Sequence, residues 1–303
     1  MFSSQGATRH SAFRVGRSER RSSRRPAFRE HWRTCIGRHH SEPSRPDGGP
    51  TRKRIEIWVA STTGLLDAKS CLFLLTAKDL ASLREIQHPP SRNSAIAGRV
   101  LLRLALSRAV DHLILPSEWN FSIGSHQRPI IEQRQPQVNF SVSHVDQVVV
   151  VAVSADIGVG IDIESVDQDV AEDVVAGFCH IDELAYVREL PEARRVREFI
   201  RLWTVKEAYT KMTGQGHFLD FSTLNVLRPR TATAAGATDG LMPFRFESFY
   251  ITAERELFHV SLAARADHLD ERAEVQLVSL VGSGGIDAAG MAPASCANLL
   301  EVR

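Results

Sequence analysis

Four stretches of this 303-residue chain hold side chains whose types and spacing could do chemistry. In GIDIE (160–164), Asp162 and Glu164 alternate with Ile161 and Ile163, so on a strand both carboxylates project from one face. Carboxylates held close repel unless a cation or a proton lies between them. Hard carboxylate oxygens, completed by water and substrate phosphate, are what Mg²⁺ takes as ligands. Taken alone, the stretch is more simply an amphipathic strand with its acidic side in water. In LWTVKEAYTK (202–211), Glu207 could add a third carboxylate from a helix, with Lys211 one turn beyond it on the same face. A Glu–Lys pair at that spacing is also an ordinary surface feature. Trp203, one turn before Glu207, would shield that face if it packs inward, and Lys206 is open between helix surface and ligand contact.

The other two stretches suit phosphate. VNFSVSH (138–144) ends in Ser143 and His144, which point to opposite faces of a strand and so do not form a proton relay. A hydroxyl and an imidazole at a strand end fit phosphate contact better. In QRP (127–129), Arg128 offers a planar fork matched to phosphate oxygens, although a lone arginine before proline is common and has little weight by itself. No G-x-x-x-x-G-K-[ST] and no G-x-G-x-x-G occurs, so neither a P-loop nor a dinucleotide fingerprint is available.

The elements that must position these groups follow from hydrophobic period. IEIWVAS (55–61) alternates as a strand, and TAKDLASLREI (76–86) reads as a helix capped by Thr76 with Asp79 three residues on. After Pro89–Pro90, Ile96, Val100, Leu101, Leu104 and Ala105 keep the 3–4 spacing of a long helix. WNFSI (119–123) predicts a short strand, 138–154 a hairpin turning near Val145–Gln147, and 158–166 a strand opened by two glycines. Helices are expected over 180–190 and 196–213, the second ending at Gly214. Strands are expected over 221–227, 244–253, 257–265 and 273–281.

Charge divides the chain. Residues 1–54 hold 13 Arg and one Lys against four acids, whereas the remainder is net −9. The first segment has no apolar periodicity and is expected to be disordered. RNA binding or targeting would suit an Arg-rich leader, but the simpler expectation is an extension without function, translated from upstream of the true start. The body shows no interleaving of aromatic and basic residues, so nucleic acid is not an expected partner. Four scattered cysteines without a C-x-x-C pair point to a reduced, cytoplasmic setting and against zinc. No apolar run approaches the ~20 residues that span a bilayer, and the N-terminus lacks the apolar core of a secretory signal.

In order, the chain reads QRP, VNFSVSH, GVGIDIE, LWTVKEAYTK. This series resembles the Sfp-type 4′-phosphopantetheinyl transferases, whose signatures are a G-K/R-P turn, an F-N/S-x-S-H strand, a G-I/V-D-x-E strand and a W-S/T-x-K-E-A/S-x-x-K helix. The resemblance covers about residues 55–281, and GFCHIDELAYVREL resembles the helix that precedes the last motif. It implies an α+β fold, a pseudo-dimer of two similar halves (55–156 and 157–281) with coenzyme A between them, flanked by 1–54 and a weakly structured tail, 282–303. The implied activity is transfer of the phosphopantetheine arm of coenzyme A to a serine of an apo acyl, peptidyl or aryl carrier protein, releasing 3′,5′-ADP. By motif, Asp162, Glu164 and Glu207 would ligate Mg²⁺. Glu207, or a water it orients, would take the serine proton, and Lys211 would meet the pyrophosphate. Arg128, Pro129, Ser143 and His144 would contact coenzyme A. Two departures stand out: Gln127 replaces the family's small residue, and Ser94 stands where a basic residue commonly meets the 3′-phosphate. Arg92 substitutes only if the helix has not begun there, and Arg99 and Arg103 are expected to face solvent. A monomer is expected, and the alternative is a catalytically silent homologue that binds coenzyme A or a carrier protein.

Overall fold

The computed structural model describes residues 53–62, 69–124, 129–145, 148–216, 219–227, 244–253, 255–265 and 274–280. The Arg-rich segment lies outside them apart from Lys53 and Arg54, and so does the tail 282–303.

Local signals act where the sequence places them. Strand β1 (Arg54–Ser61) is followed by α1 (Ala77–Glu85). There Asp79 N donates to the Thr76 hydroxyl and Thr76 N donates to the Asp79 carboxylate, a reciprocal cap. Helix α2 (Pro89–Ala109) opens on the proline pair, whose fixed φ suits a first helical turn. A ribbon of β2 (Phe121–Ile123) and β3 (Pro129–Ile131) precedes the hairpin of β4 (Asn139–Val145) and β5 (Val148–Ser154). Then come β6 (Val159–Ser165), α3 (Glu172–Phe178), α4 (Ile181–Glu189) and α5 (Glu192–Thr213). Helix α5 ends at Gly214 with φ 75°, the left-handed cap that glycine allows. Strands β7 (Phe244–Ala253), β8 (Glu256–Arg265) and β9 (Glu274–Leu280) complete the order.

The strand expected at 221–227 does not form; Phe221–Thr223 is a 3₁₀ turn instead. The Asp220 carboxylate accepts from the Ser222 amide at 3.0 Å, the Asp220 carbonyl accepts from the Thr223 amide at 3.0 Å, and the Phe221 carbonyl accepts from Lys206 at 2.7 Å. Backbone and side-chain partners close at hand have taken the groups that a ladder would use. Helix α3 and strand β3 have no counterpart among the sequence expectations.

The topology repeats. In the first repeat β1, then α2, then the β4–β5 hairpin make a sheet ordered β4–β5–β1, with β1 antiparallel to β5. In the second, β6, then α5, then the β7–β8 hairpin make a sheet ordered β7–β8–β6, with β6 antiparallel to β8. This is an α+β fold of two units with one connectivity, as the resemblance implies. Strand β9, from the end of the described chain, adds in parallel to β1. The apolar faces of both sheets share one core, with Ile55, Ile57, Val150, Ile161, Ile163, Val260 and Leu262 all buried in it.

Candidate active site

The site forms where β4 of the first repeat runs beside β6 of the second. Ile161 N donates to the Ser141 hydroxyl at 3.1 Å, and the Ser143 hydroxyl donates to Asp162 Oδ1 at 2.8 Å. Helix α5 crosses the carboxylate face of β6 at very short range because of Gly160. A Cβ on that residue would lie 1.9 Å from the Ala208 carbonyl oxygen and 2.5 Å from Met212 N. The second glycine of GVGIDIE is therefore required by the approach of the helix backbone.

That approach brings Lys211 down onto the strand. Its ammonium donates to Asp162 Oδ1 at 2.6 Å and to the Ser143 hydroxyl at 2.9 Å. Asp162 is buried, and its second oxygen, Oδ2, has no hydrogen-bond partner. A buried carboxylate oxygen without a partner is costly, and a cation is the ligand it suits. Glu164, two residues along the strand, is pushed up to about 7, first by burial and then by the charges of Asp162 and, more weakly, Glu207, with Gln168 and Lys211 opposing. Glu164 thus feels the other two carboxylates, and a divalent cation would relieve that repulsion. Among the described residues no three His, Cys, Asp or Glu side chains close on one point as a complete metal cage. The donor set fits a hard cation that also takes oxygens from water or a bound phosphate.

Ser143 and His144 separate as the strand geometry requires: Ser143 is buried against Asp162, and His144 is exposed. His144 pairs with Val149, and a Cβ on Gly98 of α2 would lie 3.7 Å from Val149 Cγ1, so the imidazole is on the α2 side of its sheet. Pro129 lies exposed at the start of β3, and Arg128 and Gln127 lie outside the described residues.

The α2 residues considered for an anion are placed otherwise than expected. Ser94 is buried. Arg92 lies inside the helix, and its guanidinium donates to the carbonyls of Ile86 and Gln87 at the end of α1. Arg99 is half-buried, donating to the Asp79 carbonyl and the Ser82 hydroxyl at 2.8 Å each. Arg103, expected in solvent, is only 1% exposed; it pairs with Asp79 and donates to the carbonyls of Pro116 and Trp119. Those acceptors offset the burial of its two terminal nitrogens, while its Nε has no hydrogen-bond partner.

Lys206 is neither a surface residue nor a ligand contact. It is fully buried, paired with Glu183 at 2.6 Å, and donates to the carbonyls of Phe178 and Phe221. Burial lowers its pKa, with Glu183 opposing. Trp203 stacks on Phe178 at 4.3 Å and Tyr209 packs on Phe244, so both aromatics serve packing.

Residues 158–263, from the start of β6 to β8, match the family model of the 4′-phosphopantetheinyl transferase superfamily. They carry Asp162, Glu164, Glu207 and Lys211. Over this segment the chain is similar to the 4′-phosphopantetheinyl transferase superfamily. The chain is 30% identical over 145 residues to 4′-phosphopantetheinyl transferase HetI of Nostoc sp., covering 47% of this chain and 60% of that protein. It is 36% identical over 124 residues to 4′-phosphopantetheinyl transferase psf-1 of Bacillus pumilus, covering 40% and 52%. The chain thus spans less than two thirds of the length of these relatives. A solved holo-(acyl-carrier-protein) synthase from Bacillus anthracis, in complex with CoA (3′,5′-ADP), aligns over 34% of this chain and 96% of its own, at 17% identity and a TM-score of 0.31.

Gly160, Ser141 and Thr204 are positions of the four motifs whose contacts the motifs do not show, and the buried His259 and Ser261, beside the carboxylates on β8, lie outside the motifs. The two glycines before Asp162 were a signal for the first. His259 and Ser261 are placed by cross-strand register, which no local pattern encodes.

Proposed function

We propose that this chain transfers the 4′-phosphopantetheine group of coenzyme A to a serine hydroxyl of an apo carrier protein and releases 3′,5′-ADP. The observation that carries the reading is the buried, unpartnered Oδ2 of Asp162, whose other oxygen accepts from Lys211 and whose strand neighbour Glu164 feels the charges of Asp162 and Glu207, all on the segment that matches the family model.

Each residue has a role in that reaction. The serine oxygen forms a bond to the phosphorus bearing the pantetheine arm, and the bond from that phosphorus to the bridging oxygen of 3′,5′-ADP breaks. Asp162, Glu164 and Glu207 hold Mg²⁺, which when bound neutralises the pyrophosphate and stabilises the leaving oxygen. Ser143 anchors Asp162 through Oδ1 and leaves Oδ2 for the metal. Glu207, or a water it orients, takes the serine proton. Lys211 exchanges its Asp162 contact for the pyrophosphate, where an ammonium helps an anionic electrophile accept a nucleophile. Arg128, Pro129, Ser143 and His144 contact coenzyme A, with His144 on the α2 side of β4. The protein acts in the cytoplasm as a monomer; among the described residues no helix is long and apolar enough to cross a membrane.

A silent coenzyme A-binding homologue is the alternative, and the full set of three carboxylates and Lys211 favours turnover. Incubation of fatty-acid, polyketide and nonribosomal-peptide apo carriers with coenzyme A and Mg²⁺ tests the choice. At least one carrier is expected to gain the mass of one phosphopantetheine arm; no gain on any would contradict transfer.

A further inference from the structure

Behind the carboxylate strand lies a buried polar cluster that the transfer reaction does not use. On β8, Ser261 is the cross-strand partner of Asp162, and His259 is that of Glu164. Both are fully buried. Thr204 of α5 reaches them: its hydroxyl oxygen is 2.8 Å from His259 Nδ1 and 2.8 Å from Ser261 Oγ. Ser261 continues to Ser248 of β7 at 2.9 Å. The Thr204 hydroxyl donates to the Arg201 carbonyl at 3.1 Å, leaving its oxygen to accept from His259 and Ser261. Burial, with the Arg201 charge adding to it, holds the His259 imidazole down at about 3. The ring is neutral at working pH, so the contact does not depend on a titration there.

The position along α5 gives the cluster its meaning. Thr204, Glu207 and Lys211 lie on one helix face at successive turns. Glu207 therefore sits between two ties to the sheet, Lys211 to Asp162 on one side and Thr204 to His259 and Ser261 on the other. The first tie is made by the group that must leave Asp162 to meet an anionic substrate. The second is buried and has no competing ligand.

We propose that the Thr204–His259–Ser261 cluster is the positioning element for Glu207, fixing the register of α5 over the carboxylate strand while Lys211 is engaged elsewhere. The proposal rests on the reading of Asp162, Glu164 and Glu207 as metal ligands. These three residues act through Glu207 and do not touch substrate.

The test uses the full chain with coenzyme A, without carrier, and Mn²⁺ as a paramagnetic probe whose binding is read by electron paramagnetic resonance. Thr204→Val is expected to weaken Mn²⁺ binding on the order of tenfold, as loss of a group that orients a ligand does. Thr204→Ser, which keeps the hydroxyl, restores the wild-type constant. Should Thr204→Val fail to fold by circular dichroism, Ser261→Ala removes one partner of the same hydroxyl and is expected to weaken binding in the same direction. Asp162→Ala separates the two readings. If Asp162→Ala loses Mn²⁺ while Thr204→Val or Ser261→Ala binds as wild type, the positioning role is overturned. If Asp162→Ala also binds as wild type, the metal site itself is wrong and the positioning role falls with it.

Discussion

Glu164 is the residue whose chemistry can be read by titration. Its carboxyl is pushed up to about 7 by burial and by the neighbouring acids, above its ordinary value of 4.5. The folded state therefore holds a proton that the unfolded chain has lost, and between those two pH values stability falls as pH rises. The metal-free protein is expected to melt at a lower temperature at pH 8 than at pH 5 by this contribution. Mg²⁺ with coenzyme A should remove the slope, because the cation replaces the proton. Melting curves across pH check it for wild type and Glu164→Gln, and the variant should lack the contribution. A slope unaltered by Glu164→Gln would contradict the assignment. At this scale the sequence was most legible, since alternation alone placed Asp162 and Glu164 on one face. It could not show that Asp162 Oδ2 is left without a partner, because that depends on Ser143 and Lys211 both taking Oδ1.

Helix α5 carries catalytic candidates on one face and an anchor on the other. Lys206, next to Glu207 in sequence, ties the end of α3 and the 221 turn to the helix through the Phe178 and Phe221 carbonyls. Its partner Glu183 also accepts from His180 N and Val226 N, each at 2.8 Å. Every donor and acceptor in this buried pair is used, so removing one charge strands the other. Glu183→Gln is expected to lower stability by about 3–5 kcal/mol, as breakage of a buried pair does, measured by chemical denaturation. A loss within the range of an exposed pair, below about 1 kcal/mol, would contradict the burial. The helix itself was legible from its period and its Gly214 stop. Lys206 was not, since a lysine in an amphipathic helix has the same local pattern whether it faces water or a buried glutamate. The 221–227 segment misled for the complementary reason: its apolar residues alternate, but Asp220 and Lys206 hold its backbone.

The duplicated topology explains why the site lies where it does in the molecule. In the first repeat β1 also bears a buried acid, Glu56, facing a cation in the last turn of its long helix, Arg108, at 3.2 Å. Like Asp162 and Lys211, this pair joins a buried strand acid to a cation in the last turn of the long helix that follows. Two residues further, however, the first repeat has Trp58 where the second has Glu164, and the Trp58 indole donates to Glu56 Oε2 at 3.0 Å. Arg54 lies 3.4 Å from Oε1. Both oxygens of Glu56 are satisfied within the protein, whereas Asp162 keeps one that is not. Glu56→Gln is accordingly expected to cost about 1–3 kcal/mol of stability through lost charged hydrogen bonds and to leave the metal titration unchanged. A shift in that titration would contradict the assignment of the metal to the second repeat alone. The strand–helix–hairpin order of each half was legible from periodicity. The pairing of β9 with β1 and the meeting of β4 with β6 were not, because long-range neighbours leave no mark on local pattern.

The proposed role of Glu207 and its neighbours in the transfer is tested most directly by a single-turnover reaction followed by intact-protein mass spectrometry. Wild type and Glu207→Gln, both shown to be folded, are mixed with coenzyme A, Mg²⁺ and an apo carrier that wild type modifies. Wild type should add one phosphopantetheine arm to the carrier serine while Glu207→Gln slows that step by a factor on the order of 10²–10⁴, the usual contribution of a positioned acid–base group. Equal rates of mass gain for the two proteins would contradict the account.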